Sequence, residues 1–170
     1  MNTIGKLLSS IVAEDLTYIC KRYGMLPNMH FGGRPGKNTL DAMHYLANRV
    51  KGMWRRHKVT AVLFLDIKGT FPNAITERLL HNIRTRQVPE PYVLFIERML
   101  TNRHTRLKFD GFTSDWVSID NSIVQGNLLS MLLYLFYNAD LIALPNKDEA
   151  MIAYVDDLLL RRGIRVWRNT

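Results

Sequence analysis

Cysteine is nearly absent. The 170 residues hold one, Cys20, which excludes an internal disulfide and a cysteine-only metal site and fits a reducing compartment. A lone thiol in a chain of this size reads first as a small core residue. Long apolar runs are missing too: the most apolar stretch, residues 128–144, is interrupted by Asn138 and Asp140 before it reaches the roughly 20 residues a membrane span requires. It reads as a buried helix. Residues 1–13 carry Lys6 inside a short apolar stretch, the pattern of a weak amphipathic helix rather than a secretory leader. Acidic residues are scarce, 15 Asp plus Glu against 23 Lys plus Arg for a net charge of +8. That excess favours a polyanionic partner, nucleic acid ahead of an anionic membrane surface.

There is enough apolar material, at 47%, to bury the core of one ordinary domain. Repeats, low-complexity tracts and an obvious linker are all lacking. Residues 1–23 predict a helix ending at Tyr23-Gly24, followed by a Gly/Pro-rich loop over 26–37. Asn38-Thr39 reads as a cap for a helix carrying Leu40, Met43, Leu46, Val50, Met53 and Trp54 at helical spacing. Val59 to Leu65 reads as a buried strand. Next come a helix with Ile75, Leu79, Leu80 and Ile83 on one face, ended by Pro89-Glu90-Pro91, and a helix through Phe95, Ile96, Met99 and Leu100. Residues 105–109 and 115–119 predict a hairpin around Asp110-Gly111, with Leu107 and Phe109 sharing a face. The resulting fold class is α+β.

Three carboxylates stand out against this apolar background. Asp66 closes the predicted strand, and Asp156-Asp157 lies within Met151 to Leu160, flanked by Tyr154-Val155 and Leu158-Leu159-Leu160. The flanks predict a hairpin whose tight turn is Asp156-Asp157. Neighbouring anions on such a turn repel each other, and a divalent cation relieves that repulsion. An all-oxygen donor set suits magnesium or manganese better than zinc. The residues therefore point first to two-metal phosphoryl transfer.

Two other features are chemically suggestive. The loop Phe31-Gly32-Gly33-Arg34-Pro35-Gly36-Lys37 offers glycines that permit close backbone approach and two cations, Arg34 and Lys37, that suit phosphates. It lacks the Gly-Lys-Ser/Thr ending of a Walker loop, and an ordinary surface loop is the competing reading. Basic clusters at Lys51, Arg55, Arg56 and Lys58 and at Arg103, His104, Arg106 and Lys108 suit a nucleic-acid backbone; residue by residue, a solvated, dipole-compensating helix terminus is the better explanation of the first.

Leu65-Asp66-Ile67-Lys68-Gly69-Thr70-Phe71, Gln125-Gly126 with Leu129-Ser130, and Tyr154-Val155-Asp156-Asp157 together resemble the reverse transcriptase of LINE-like, non-LTR retrotransposons. Phe31 to Asp41 and Tyr134 to Leu141 are similar to further blocks of that family, so that the likeness runs in order from residue 1 to about 160. Phe71-Pro72-Asn73 resembles fungal members.

The resemblance implies a right-hand polymerase palm over residues 39–160, partial fingers over 1–38, and no thumb, with 161–170 an unrelated or disordered tail. It implies two magnesium or manganese ions held by Asp66, Asp156 and Asp157. Phe71 would sit under the nucleotide sugar and select deoxynucleotides; by itself it reads as a core aromatic. Gln125 and Gly126 would position nucleotide and template, and Arg34 and Lys37 would hold the triphosphate. Arg55, Arg56, Lys58, Arg103, Arg106 and Lys108 would meet nucleic acid. The implied partners are an RNA template, a DNA primer and deoxynucleoside triphosphates, without a membrane.

The chain departs from the family where Asn127-Leu128 replaces Asp-Pro or Ser-Pro, and the likeness stops after Leu160. Without a thumb, this chain alone is expected to extend primers feebly or not at all. The competing readings are a non-enzymatic nucleic-acid binder, a group II intron maturase fragment and a remnant that does not fold.

Overall fold

A computed structural model describes residues 3–146 and 149–165. Five helices and seven strands follow one another among them: α1 (Thr3–Tyr23), α2 (Thr39–Trp54), β1 (Lys58–Asp66), α3 (Thr76–Thr85), α4 (Glu90–Leu100), β2 (Arg103–Thr105), β3 (Lys108–Phe109), β4 (Phe112–Thr113), β5 (Val117–Ile119), α5 (Leu128–Ile142), β6 (Glu149–Tyr154) and β7 (Asp157–Arg165). The mixed α and β content agrees with the sequence reading. Two compact units form, one from Met1–Leu16 and Gly69–Tyr137, the other from Thr17–Lys68 and Asn138–Thr170. This division cuts across the expected boundaries after residues 38 and 160.

The first unit is mainly helical. Leu79, Leu80 and Ile83 of α3, Val93, Ile96 and Leu100 of α4, and Leu129 to Phe136 of α5, Met131 apart, are buried. Buried Asn82 donates its side-chain amide to the carbonyls of Phe136 (3.3 Å) and Tyr137 (3.1 Å), tying α3 to α5. Helix α3 stops at Thr85, earlier than the prolines, because Gln87 turns into the left-handed region (φ 60°) and Val88 donates back to Ile83. Pro89 and Pro91 instead open α4, where a missing N–H costs nothing. Ile75 also departs from expectation, standing exposed as the cap of α3.

The predicted hairpin forms, but as two short ladders, β2 with β5 and β3 with β4. Asp110 (φ 42°) and Gly111 (φ 80°) both take positive φ at its tip, the type I′ preference of Asp-Gly. Leu107 and Phe109 remain exposed, since the ribbon packs Phe109 on Phe112 across its own turn (5.2 Å between ring centres) rather than on a core.

The second unit is built on an antiparallel sheet of order β1-β7-β6. Its core joins Met151, Ala153 and Leu158 to Ile142, with Met29, Ile67, Leu141 and Leu160 packed around them. Helix α2 carries a complete capping box: the Asn38 side chain accepts from the Asp41 N–H and Asp41 accepts from the Asn38 N–H, both at 2.9 Å. Cys20 is buried as expected, and that burial pushes its thiol up to about 11. The fully buried strand expected at Val59–Leu65 is not found. Among the described residues β1 lies at the sheet edge; it exposes Phe64 toward a groove that separates it from α2, and Val59, Leu63 and Leu65 on its opposite face. Residues 161–165, expected to begin an unrelated or disordered tail, are ordered as the end of β7, while 166–170 lie outside the described residues. Among the described residues, no helix is long and apolar enough to cross a membrane.

Candidate active site

Strand register brings the sequence-distant carboxylates together. β1 ends on Asp66, β7 begins on Asp157, and the two are direct antiparallel partners. Such a pair separates its Cβ atoms by about 4.5–5.5 Å, close enough for like charges to destabilise the ladder. Across its other edge Asp157 pairs with Tyr154. The tight turn is therefore Val155-Asp156 and not Asp156-Asp157: closing the ladder with Tyr154 opposite Asp157 leaves two residues for the loop. Val155 takes a φ of 58° as a result, a conformation that β-branched residues strongly disfavour.

Asp66 and Asp157 face α2. A Cβ placed on Gly163 would collide with the Met53 methyl of α2, so Gly163 and its partner Thr60 mark that face. Alternation then puts Asp157 with Leu159, and Asp66 with Phe64, on the same side. These four residues, with Met43 and Trp54 of α2, help to line a groove of about 780 Å³. The pair of adjacent carboxylates at a strand end has the donor chemistry of a hard divalent cation site. Among the described residues, no three His, Cys, Asp or Glu side chains converge as a ready-made metal cluster.

The glycine-rich loop clamps this hairpin. Phe31 donates to the Ala153 carbonyl (2.8 Å) and Ala153 donates to the Met29 carbonyl (3.0 Å), so that His30 bridges Ala153 in parallel. Gly32 comes next and lies against Val155. The close approach anticipated for these glycines is thus to the backbone of the acidic turn. Arg34 donates to Pro27 O (2.7 Å), and Lys37 donates to Asn28 O while lying over the Phe31 ring. Both cations support the loop, and burial lowers both pKa values. Sequence reasoning passed over His30. It is fully buried, and burial first, then the Arg34 charge, lower its pKa to about 4, against a weaker opposing pull from the Gly32 backbone. Neither ring nitrogen has a well-formed hydrogen bond among the described residues. Its signal was a histidine amid Pro, Met and Phe rather than charged neighbours.

Phe71, Gln125 and Gly126 belong to the first unit. The Phe71 carbonyl accepts from Ile123 (2.8 Å) and the Ala74 carbonyl from Ser122 (3.0 Å), which fixes Phe71 beside the segment leading to Gln125. The Phe71 ring packs on Tyr134 at 5.5 Å. Gln125 and Gly126 are exposed, with Gly126 at φ 77°. Asn127 then caps α5, its side-chain oxygen accepting from the Leu129 N–H at 3.0 Å, so it does the work an aspartate would do there.

Arg55 and Arg56 are exposed and Lys58 is half-buried. Arg106 is exposed over the Trp116 ring, and Lys108 is exposed. Arg103 differs, donating to Leu100 O (2.9 Å), Ser122 O (2.7 Å) and Ser122 Oγ (3.3 Å). Its guanidinium holds the chain together.

Residues 1–161 match the family described as reverse transcriptase (RNA-dependent DNA polymerase). The probable RNA-directed DNA polymerase from transposon X-element of Drosophila melanogaster is 25% identical over 153 residues, covering 88% of this chain and 16% of that protein. The RNA-directed DNA polymerase from mobile element jockey of Drosophila funebris is 24% identical over 165 residues, 92% of this chain and 18% of its own length. The retrovirus-related Pol polyprotein from type-1 retrotransposable element R2 of Popillia japonica is 27% identical over 135 residues, 72% of this chain and 22% of its own. The chain spans less than a quarter of each of these relatives.

Proposed function

The chain belongs to the reverse transcriptase (RNA-dependent DNA polymerase) family, and from that premise we propose that Asp66, Asp156 and Asp157 form the catalytic centre of RNA-templated DNA synthesis. The observation that carries this reading is the register that sets Asp66 opposite Asp157 at the end of an apolar sheet. Polymerisation joins the primer 3′-oxygen to the α-phosphorus of a deoxynucleoside triphosphate and breaks its bond to pyrophosphate. The three carboxylates would hold two magnesium or manganese ions, which supply Lewis acidity to the 3′-hydroxyl and to the leaving pyrophosphate.

The chain's own contribution is positioning. The β1–β7 ladder fixes two carboxylates, and the clamp of residues 29–32 holds the turn that presents the third. In this reading the second unit's sheet is palm, and Phe71 limits the nucleotide sugar to the deoxy form. Gln125 and Gly126 meet nucleotide and template, and Arg34 and Lys37 turn spare N–H donors toward the triphosphate. RNA template, DNA primer and deoxynucleoside triphosphates are the partners.

The test is extension of a DNA primer on an RNA template with magnesium or manganese, run beside Asp66→Asn and Asp157→Asn. Feeble extension at most by this chain alone, lost altogether in both variants, together with a melting temperature that responds to the ions, is the expected result. Synthesis that survives either substitution overturns the assignment, as does an inactive, cooperatively melting chain whose stability ignores both ions.

A further inference from the structure

The sheet of the second unit carries opposite charge at its two ends. β1 opens on Lys58 and closes on Asp66, whereas β7 opens on Asp157 and holds its cations, Arg161, Arg162 and Arg165, in its last five residues. Antiparallel pairing therefore gathers like with like. Asp66 meets Asp157 at one end, and toward the other Lys58 is set opposite Arg165, Ala61 opposite Arg162 and Val62 opposite Arg161. The turn at 55–57, which leads from α2 into β1, adds the exposed Arg55 and Arg56. Among the described residues, one carboxylate is in register with this end: Glu149, opposite Arg162 and 3.7 Å from its guanidinium. Six cations against one anion leave a local charge of +5, more than half of the chain's +8.

A helix C-terminus accounts for Arg55 and Arg56, but not for three arginines on a strand. Like charges set opposite each other weaken a ladder, and Arg161 Nε is buried with no hydrogen-bond partner among the described residues. The fold gains nothing from either arrangement by itself. An anion seated at this end would relieve the first and supply Arg161 with a counter-ion. We propose that the Lys58–Arg165 end of the sheet is a binding surface for the phosphate backbone of RNA, with Arg161 and Arg162 among its contacts. Guanidinium forks suit phosphate oxygens, and five of the six cations are arginine. The surface lies roughly 26 Å from the carboxylates, at about 3.3 Å per residue along β1, so it holds the strand away from the reacting atoms. Contacts to phosphate position a strand without reading its sequence. The choice of RNA among polyanions rests on the polymerase reading; the surface rests on the strand register.

Titration of the whole chain with a fluorescent single-stranded RNA of about 12 nucleotides, in chelator and across a salt series, tests it. Neither metal nor extension enters this readout, so its failure is distinct from a failure of the carboxylate assignment. Arg162→Gln and Arg165→Gln should each weaken binding by about threefold or more at low salt and lower the log–log salt slope by about 0.7. Glu149→Gln removes the opposing anion and should tighten binding. Lys58→Met should weaken binding yet raise the melting temperature of the free chain, because it removes the like charge opposite Arg165. An affinity and salt slope indifferent to Arg162→Gln and Arg165→Gln would overturn the proposal. So would binding lost only in variants that melt earlier than the parent, or capture by phosphatidylserine vesicles without RNA binding, which would assign the surface to a membrane.

Discussion

A methyl group added to Gly32 would lie 2.6 Å from Cγ2 of Val155 and 2.7 Å from its backbone nitrogen. The clamp loop therefore touches the acidic turn at Val155, which holds a left-handed conformation (φ 58°) foreign to valine. Side-chain rotation can relieve the first contact but not the second.

Gly32→Ala should consequently destabilise the protein by about 1–3 kcal/mol, the usual cost of overpacking. Val155→Gly should hold or raise stability, because the strain of a left-handed β-branched residue, about 1–3 kcal/mol, exceeds the added backbone entropy of glycine. Urea denaturation of both variants measures this. Equal midpoints for Gly32→Ala and the parent chain would refute the clamp.

The opposed carboxylates make a second prediction. In chelator, Asp157→Asn removes the repulsion across the ladder and should stabilise the chain by about 0.2–1 kcal/mol. Magnesium should raise the melting temperature of the parent chain by mass action and leave Asp157→Asn unmoved. Thermal melts with and without the ion separate the two effects.

His30 gives the chain a pH dependence of known sign. Its folded pKa, about 4, is below the ordinary 6.5, so the unfolded chain binds the extra proton. Stability is complete above about pH 6.5 and falls as pH drops toward 4, by about 3 kcal/mol over the whole window. His30→Leu should flatten that slope relative to the parent while the carboxylate titration common to both remains. Parallel stability curves for the two proteins between pH 6.5 and 4 would contradict the assignment.

The arginines should divide into two kinds. Arg55→Ala and Arg56→Ala should leave folding nearly unchanged and reduce the salt slope of RNA binding by about 0.7–0.9 for each phosphate that is no longer neutralised. Arg103→Ala should lower stability by about 1–3 kcal/mol, because it orphans the carbonyls of Leu100 and Ser122. Filter binding across salt concentrations, beside melts of the same proteins, would show whether that division holds.

Local signals were readable in the chain itself: the Asn38-Asp41 capping box, the Gly24 stop, the Asp110-Gly111 turn and the apolar run of α5 each depend on residues a few positions apart. Asp66 and the Asp156-Asp157 pair could likewise be singled out, because carboxylates inside apolar strand patterns are costly without a cation. What lay beyond the sequence was register and contact. That Asp157 rather than Asp156 faces Asp66, that Gly32 wedges against Val155, and that Arg103 bonds to Leu100 and Ser122 all follow from which distant segments meet. Periodicity reports the face a residue prefers, but only the assembled backbone decides what stands opposite it.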